Sequence, residues 1–388
     1  VIFLHVLSLV AGTLAALAVL GSALTTVVLP QEGLPRLSQF VFALVDRLLV
    51  HERRDQASTS AMRRLYAPVA LVSLPLVWMV LMVAAFTFVF WGTGSLAFSK
   101  AFESSGSSLT TLGFSEPSGT SRIWIAFVEA TIGLGLVALL ISYLPTIFSA
   151  YNGREKGILM LRPIAGAPPT ATELITTLHR MDALDTIDFW RTQAEWIVDV
   201  EQTHTSFPIL SYFPETHVDH SWVATLGTLL DAAALLQSTW TPGTGERFEE
   251  MQRGPLLILV YGIPAIGRIA RAASVPLPAP SRLPELAAHY DERAPAVSIG
   301  RDEYVGALAA LSPVVHVEPG QEEAAWRRFA WTRSGYDEAV RALAGLTKAS
   351  PALWTTDRAA VVGRPRFLRR RPLPVDWSRG GSTGTAQP

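Results

Sequence analysis

Residues 106–117 read GSSLTTLGFSEP, a run of hydroxyls and glycines closed by a single carboxylate. The run lies between two of the most apolar stretches of the chain, and those flanks determine the fold class. Leu65 to Ser99 contains no Asp, Glu, Lys or Arg, and it is most apolar from Ala67 to Trp91. Ile123 to Asn152 carries one charge, Glu129. A bilayer core about 30 Å thick needs about 20 apolar residues in a helix, so each flank predicts a membrane span. Val1 to Leu29 is a third such stretch, with His5 its one ionisable side chain. A cleaved signal peptide would have a shorter apolar core with basic residues before it, so a true span is the expectation. The chain opens on Val1, which leaves room for residues upstream.

The basic residues orient these spans. Arg36, Arg47, Arg53, Arg54, Arg63 and Arg64 follow the first span, and Arg154, Lys156 and Arg162 follow the third. Between the second and third there are only Lys100 and Arg122. The positive-inside rule then predicts a cytoplasmic 31–66 linker, a cytoplasmic C-terminal half and an outward-facing 106–117 segment. Trp91 and Trp124 would anchor the outer boundary, Tyr66 and Tyr151 the inner one. In the linker, Leu37, Phe40, Val41, Leu44, Val45, Leu48 and Leu49 share one helical face. That pattern predicts an amphipathic helix lying on the membrane or against the protein's own helices.

The chain has 388 residues, of which 49% are hydrophobic and 17% charged, with a net charge of −1. No bulk field therefore favours nucleic acid as a partner. Cysteine is absent, which removes disulfides, thiolate metal sites and a thiol nucleophile. No P-loop, nucleophile elbow or H-E-x-x-H is present, so an enzyme is not expected.

Beyond Pro163 the character changes. PIAGAPPTATELI suggests a linker over 151–169, with Thr170 or Thr172 capping the next helix. Trp, Leu and Ala then recur at helical spacing in DTIDFWRTQAEWIVDVEQTH, HSWVATLGTLLDAAALLQ and EEAAWRRFAWTRSGYDEAVRALAGL. An α-helical cytoplasmic domain over 170–363 follows from that period, with a basic, disordered tail over 364–388. GPLLILVYGIPAIG (254–267) reads as a buried helix, too short and too interrupted to span.

Span, short amphipathic segment, T-T-L-G-F-S-E, span: residues 67–150 resemble the pore module of the potassium-channel superfamily. In that family a pore helix descends partway into the membrane and a T-x-G-Y/F-G-D strand returns. The resemblance makes LAFSKAFESSGSSL the pore helix and Thr110, Thr111, Leu112, Gly113, Phe114, Ser115 and Glu116 the selectivity filter. It implies a homotetramer in the lipid bilayer of a bacterial inner membrane. The permeant ion would be K⁺ or another monovalent cation, and no cofactor would be needed. Gly133, Gly135 and Pro145 fall where inner helices of such channels bend. Ser115 stands where the family has its second filter glycine, so K⁺ selectivity is expected to be weak. The nucleotide-binding gating domain common beneath bacterial members is not expected, because no G-x-G-x-x-G follows a strand.

The expected fold is thus an all-α membrane protein with three transmembrane helices, a re-entrant pore helix and filter loop, and an α-helical cytoplasmic domain for assembly or gating. The competing reading is a non-conducting membrane scaffold, with a pore degenerate at Ser115 and a helical domain that recruits a partner. An ion-translocating transporter subunit is a weaker third.

Two further groups stand out. Glu129 lies about two turns into the third span, where a carboxylate needs an interior partner. Ser104, Ser105 and Ser108 are the predicted partners, which would make Glu129 a support for the filter. Ser142 and Thr146 are candidates for lining the cavity below, although such hydroxyls commonly bond their own helix. His204, Glu215, His217, Asp219 and His220 crowd into seventeen residues. Their spacing matches no helical metal motif, so a surface turn packing Phe207, Phe213 and Trp222 is expected, with a pH-sensitive contact the milder functional version.

Overall fold

The structure is a computed structural model that describes residues 2–27, 37, 40, 41, 44, 56–94, 96–115, 118–213, 221–239, 246–277, 282–347 and 349–360. Among these residues it is all-helical, with no strand. The chain divides into two compact units, Val1–Ser149 and Ala150–Pro388.

In the first unit α1 (Ile2–Val27) and α2 (Gln56–Gly92) pack against each other. They run antiparallel, because Ser8 Oγ donates to the Phe88 carbonyl and His5 Nδ1 lies 3.1 Å from the Trp91 carbonyl. Small residues let the two backbones approach closely. A Cβ on Gly12 would lie 2.6 Å from the Ala85 carbonyl, and one on Gly92 would lie 2.6 Å from the Leu9 amide. Close backbone approach at small residues is how membrane helices associate where lipid supplies no hydrophobic drive. A short helix, α3 (Phe98–Leu109), packs on α2, and α4 (Thr120–Ala165) follows.

Two boundaries differ from the sequence reading. Residues 56–66 belong to α2, not to the linker, and residues 151–165 belong to α4. Polar and charged residues such as Arg154 and Lys156 carry the helix beyond its apolar stretch, since they are good helix formers or are neutral to it. The remaining turn, Gly166 to Pro169, ends at Thr170, whose side chain accepts from the Glu173 amide. Of the linker face, Leu37, Phe40, Val41 and Leu44 are helical, with Val41 buried and Phe40 and Leu44 exposed. Val45, Leu48, Leu49 and the tail from 364 lie outside the described residues.

The second unit is built around α7 (Trp222–Ser238), of which only Gln237 escapes full burial. A helix apolar on every side belongs in the middle of a bundle. Around it pack α5 (Ala171–Arg180), α8 (Glu246–Ala272), α11 (Glu322–Ser334) and α12 (Asp337–Thr347), with α9 (Leu283–Ala287) and α10 (Arg301–Ala310) lying between α8 and α11 in the chain. Helix α6 (Ile187–Ser206) lies against α8. Two of its indoles rest on glycines: a Cβ on Gly254 or on Gly157 would fall 2.1 Å from Trp190 or Trp196 respectively.

Asp231 is the single charge in α7, and it is paired. Arg333 bonds both Asp231 and, at 2.9 Å, Asp337, while the Tyr336 hydroxyl donates to Asp231 at 2.7 Å. Breaking such a buried pair costs about 3–5 kcal/mol, because one charge is stranded.

The 254–267 segment is the buried helix expected, but it is neither short nor interrupted. It lies within a 27-residue helix that continues through Pro255 and Pro264. Among the described residues four helices are therefore long and apolar enough to cross a membrane: Ile2–Thr26, Val72–Gly92, Thr120–Ala165 and Gln252–Ala272. They suggest a membrane protein. The fourth is 61% buried within the structure, against 22%, 44% and 17% for the others. Its contacts with α6, α7 and α12 account for that burial.

Candidate functional site

The residues singled out between the second and third apolar stretches gather around the end of α3. That helix ends in a Schellman turn. The Leu112 amide donates to the Ser107 carbonyl at 3.0 Å and the Thr111 amide to the Ser108 carbonyl at 3.1 Å. The turn requires one residue in the left-handed region, a position usually taken by glycine. Here it is Thr111, at φ +55°. A β-branched residue in that region is a conformational outlier, and sterics there cost roughly 1–2 kcal/mol.

Beyond the turn the chain extends. Leu112 and Phe114 are 69% and 65% exposed, and Gly113 has φ +69° with open space around its Cα. Ser115 is not left-handed. Its amide instead donates to Ser107 Oγ at 3.1 Å, and its hydroxyl lies 3.3 Å from Ser104 Oγ. The serines of α3 thus hold the outer end of the segment by side-chain bonds. Thr110 and Thr111 turn their hydroxyls onto the carbonyls of Gly106 and Thr110. Glu116 lies outside the described residues.

Behind α3 sits Glu129, fully buried, 2.5 Å from Ser105 Oγ. The same Ser105 hydroxyl lies 3.0 Å from the Val83 carbonyl of α2. Gly133, one turn further along α4, meets the end of α3: a Cβ there would lie 2.2 Å from the Leu109 carbonyl. That close approach was not legible in the sequence, where Gly133 reads as a bend. A Cβ on Gly135 would meet nothing within 4 Å beyond its own helix, and α4 is continuous through Gly133, Gly135 and Pro145. Ser142 and Thr146 are exposed and bond the carbonyls of Leu139 and Ser142 on their own helix.

Of the histidine-rich stretch, His204 is described. His204 is buried against Trp222, with ring centroids 4.8 Å apart and Nδ1 2.8 Å from the Val200 carbonyl. Burial first, and then the nearby Arg154 charge, push its pKa down to about 3. Glu215, His217, Asp219 and His220 lie outside the described residues, and among the described residues no three potential metal ligands cluster.

No protein-family model matches the chain, and neither does any curated protein or solved structure.

Proposed function

We propose that the chain forms a cation-conducting pore of potassium-channel type, in which the Thr111–Ser115 segments of four copies surround an axis and the helical domain assembles or gates it. The observation that carries this reading is where α3 meets its neighbours. Ser105 bonds Val83, nine residues before the end of α2, and Glu129, nine residues after the start of α4. Nine residues of helix are about 14 Å, so α3 runs inward along both apolar helices as a re-entrant helix would. Irregular backbone at such depth must be buried in protein or face water. The exposed Leu112–Phe114 segment meets that requirement once copies of the chain bring their carbonyls onto a shared ion path. The C-terminal end of α3 adds partial negative charge there, which favours a cation.

One observation favours the non-conducting scaffold. The bonds from Ser104 and Ser107 hold Ser115 back on α3, away from the geometry that a second glycine would permit.

Flux from purified protein in liposomes separates the two readings. The pore reading expects tetramers by mass photometry and cation flux that Gly113→Ala abolishes, since an L-residue is strained at φ +69°. Ser115→Gly is expected to move the reversal potential in mixed K⁺/Na⁺ solution toward that of K⁺. Monomers without flux in either form would leave the scaffold.

A further inference from the structure

We infer that Glu129 is a neutral carboxylic acid that donates its proton to Ser105, so that a relay of two protons ties α4 to α3 and α3 to α2. The hydrogens available around Ser105 require it. Ser105 Oγ stands 2.5 Å from Glu129 Oε1 and 3.0 Å from the Val83 carbonyl. A serine hydroxyl carries one hydrogen, a carbonyl only accepts, and an ionised carboxylate only accepts. With Glu129 ionised, one hydrogen would face two buried acceptors and one contact would hold none. With Glu129 neutral, its O–H donates to Ser105 and Ser105 donates to Val83, so both contacts are true hydrogen bonds. The Val83 carbonyl also accepts from the Thr87 hydroxyl at 2.7 Å, but it has no hydrogen to contribute. The 2.5 Å separation suits a charged acceptor as well as a neutral donor, so the count decides between them.

The surroundings agree. Glu129 Oε2 is buried with no hydrogen-bond partner. A bare oxygen of a neutral acid is far cheaper to bury than half of an unpaired carboxylate. The cations described on α3 and α4 in this unit are engaged elsewhere: Lys100 with Glu103 at 2.6 Å, Arg122 with Thr93 at 2.9 Å and with Ser118. Glu103, the other carboxylate on α3, belongs to the Lys100 pair, and Tyr143 is the remaining ionisable group of α4 described in this unit. No charged side chain is described on α2 where Val83 lies. If the pore reading holds, Glu129 contributes no negative charge behind the filter, and attraction for cations rests on carbonyls and the end of α3.

Infrared difference spectroscopy on the full chain in lipid at neutral pH tests this directly, and it needs no conduction. The expected result is a protonated-carboxyl C=O band that shifts in D₂O and is missing in Glu129→Gln. Thermal unfolding supplies the second measurement. Gln keeps a donor for Ser105 and drops the option of a charge, so its midpoint is expected within about 3 °C of the parent at neutral pH. Ser105→Ala cuts the relay and lowers the midpoint by more than that. Absence of the band, or a Gln variant that unfolds or melts as low as Ser105→Ala, overturns the assignment.

Discussion

Thr111 occupies the position where a Schellman turn ordinarily takes glycine, and it carries a β-branched side chain there at φ +55°. Strain of this kind persists where the surroundings over-determine it, and it concentrates at functional positions. If the threonine is kept for its hydroxyl or its place on the ion path, then Thr111→Gly relieves the strain at the expense of function. The expected outcome is a gain of about 1 kcal/mol in stability, read by thermal unfolding in detergent, together with altered flux in liposomes. No gain in stability would mean the left-handed turn is not strained. The motif T-T-L-G-F-S was visible in the sequence, but the identity of the left-handed residue was not. Attention to glycines pointed to Gly113 and to the missing glycine at 115, whereas the helix end decides which residue must turn.

At the scale of elements, the contact between α3 and α4 separates two glycines that look alike in sequence. Gly133 lets the Leu109 carbonyl approach to a distance no Cβ tolerates, whereas Gly135 faces open space. Gly133→Ala is therefore expected to destabilise by about 1–3 kcal/mol through forced displacement of α3. Gly135→Ala is expected to be neutral or to stabilise by up to about 1 kcal/mol through helix propensity. Thermal midpoints of the two variants in the same detergent check this. Equal effects would mean that α3 does not rest on Gly133. The Ser105–Glu129 bond was within reach of the sequence, because a carboxylate at that depth needs a partner and the serines were the nearest donors. The part played by Val83 was not, since a backbone carbonyl already bonded in its own helix gives no signal in the residue string.

At the scale of the whole molecule, two buried groups in the second unit push acid stability in opposite directions. His204 is buried neutral with its pKa lowered to about 3, so between about pH 6.5 and 3 the unfolded chain binds the extra proton. Stability from this group is complete above pH 6.5 and is lost as pH falls through that window, by about 5 kcal/mol at most. For Asp231, burial outweighs the pull of Arg333 and holds the carboxyl up at about 6. Between about pH 4 and 6 the folded chain therefore binds the extra proton, and this group's contribution falls as pH rises. The two slopes oppose each other between pH 4 and 6. In His204→Gln the His204 slope is removed, so the advantage of the parent over this variant is expected to grow as pH rises from 3 to 6.5. A difference in melting midpoint that does not change with pH would show that His204 is not buried neutral.

Runs of apolar residues and the period of the helices were enough, without any structure, to indicate the all-helical character of the described residues, apolar helices long enough to span, a hydroxyl-rich segment between two of them and a helical C-terminal half. Those properties depend on near neighbours in the chain: hydrophobic length sets what can cross a bilayer, and residue spacing sets which face is apolar. Folding decided the features that depend on distant partners. Helix α8 lies against α6, α7 and α12, Asp231 sits in a core helix because Arg333 comes from α11 to meet it, and Trp190 packs close to Gly254 of another helix. Each of these pairs residues separated by tens of positions, and a contact of that kind leaves no periodic trace in either partner's local sequence.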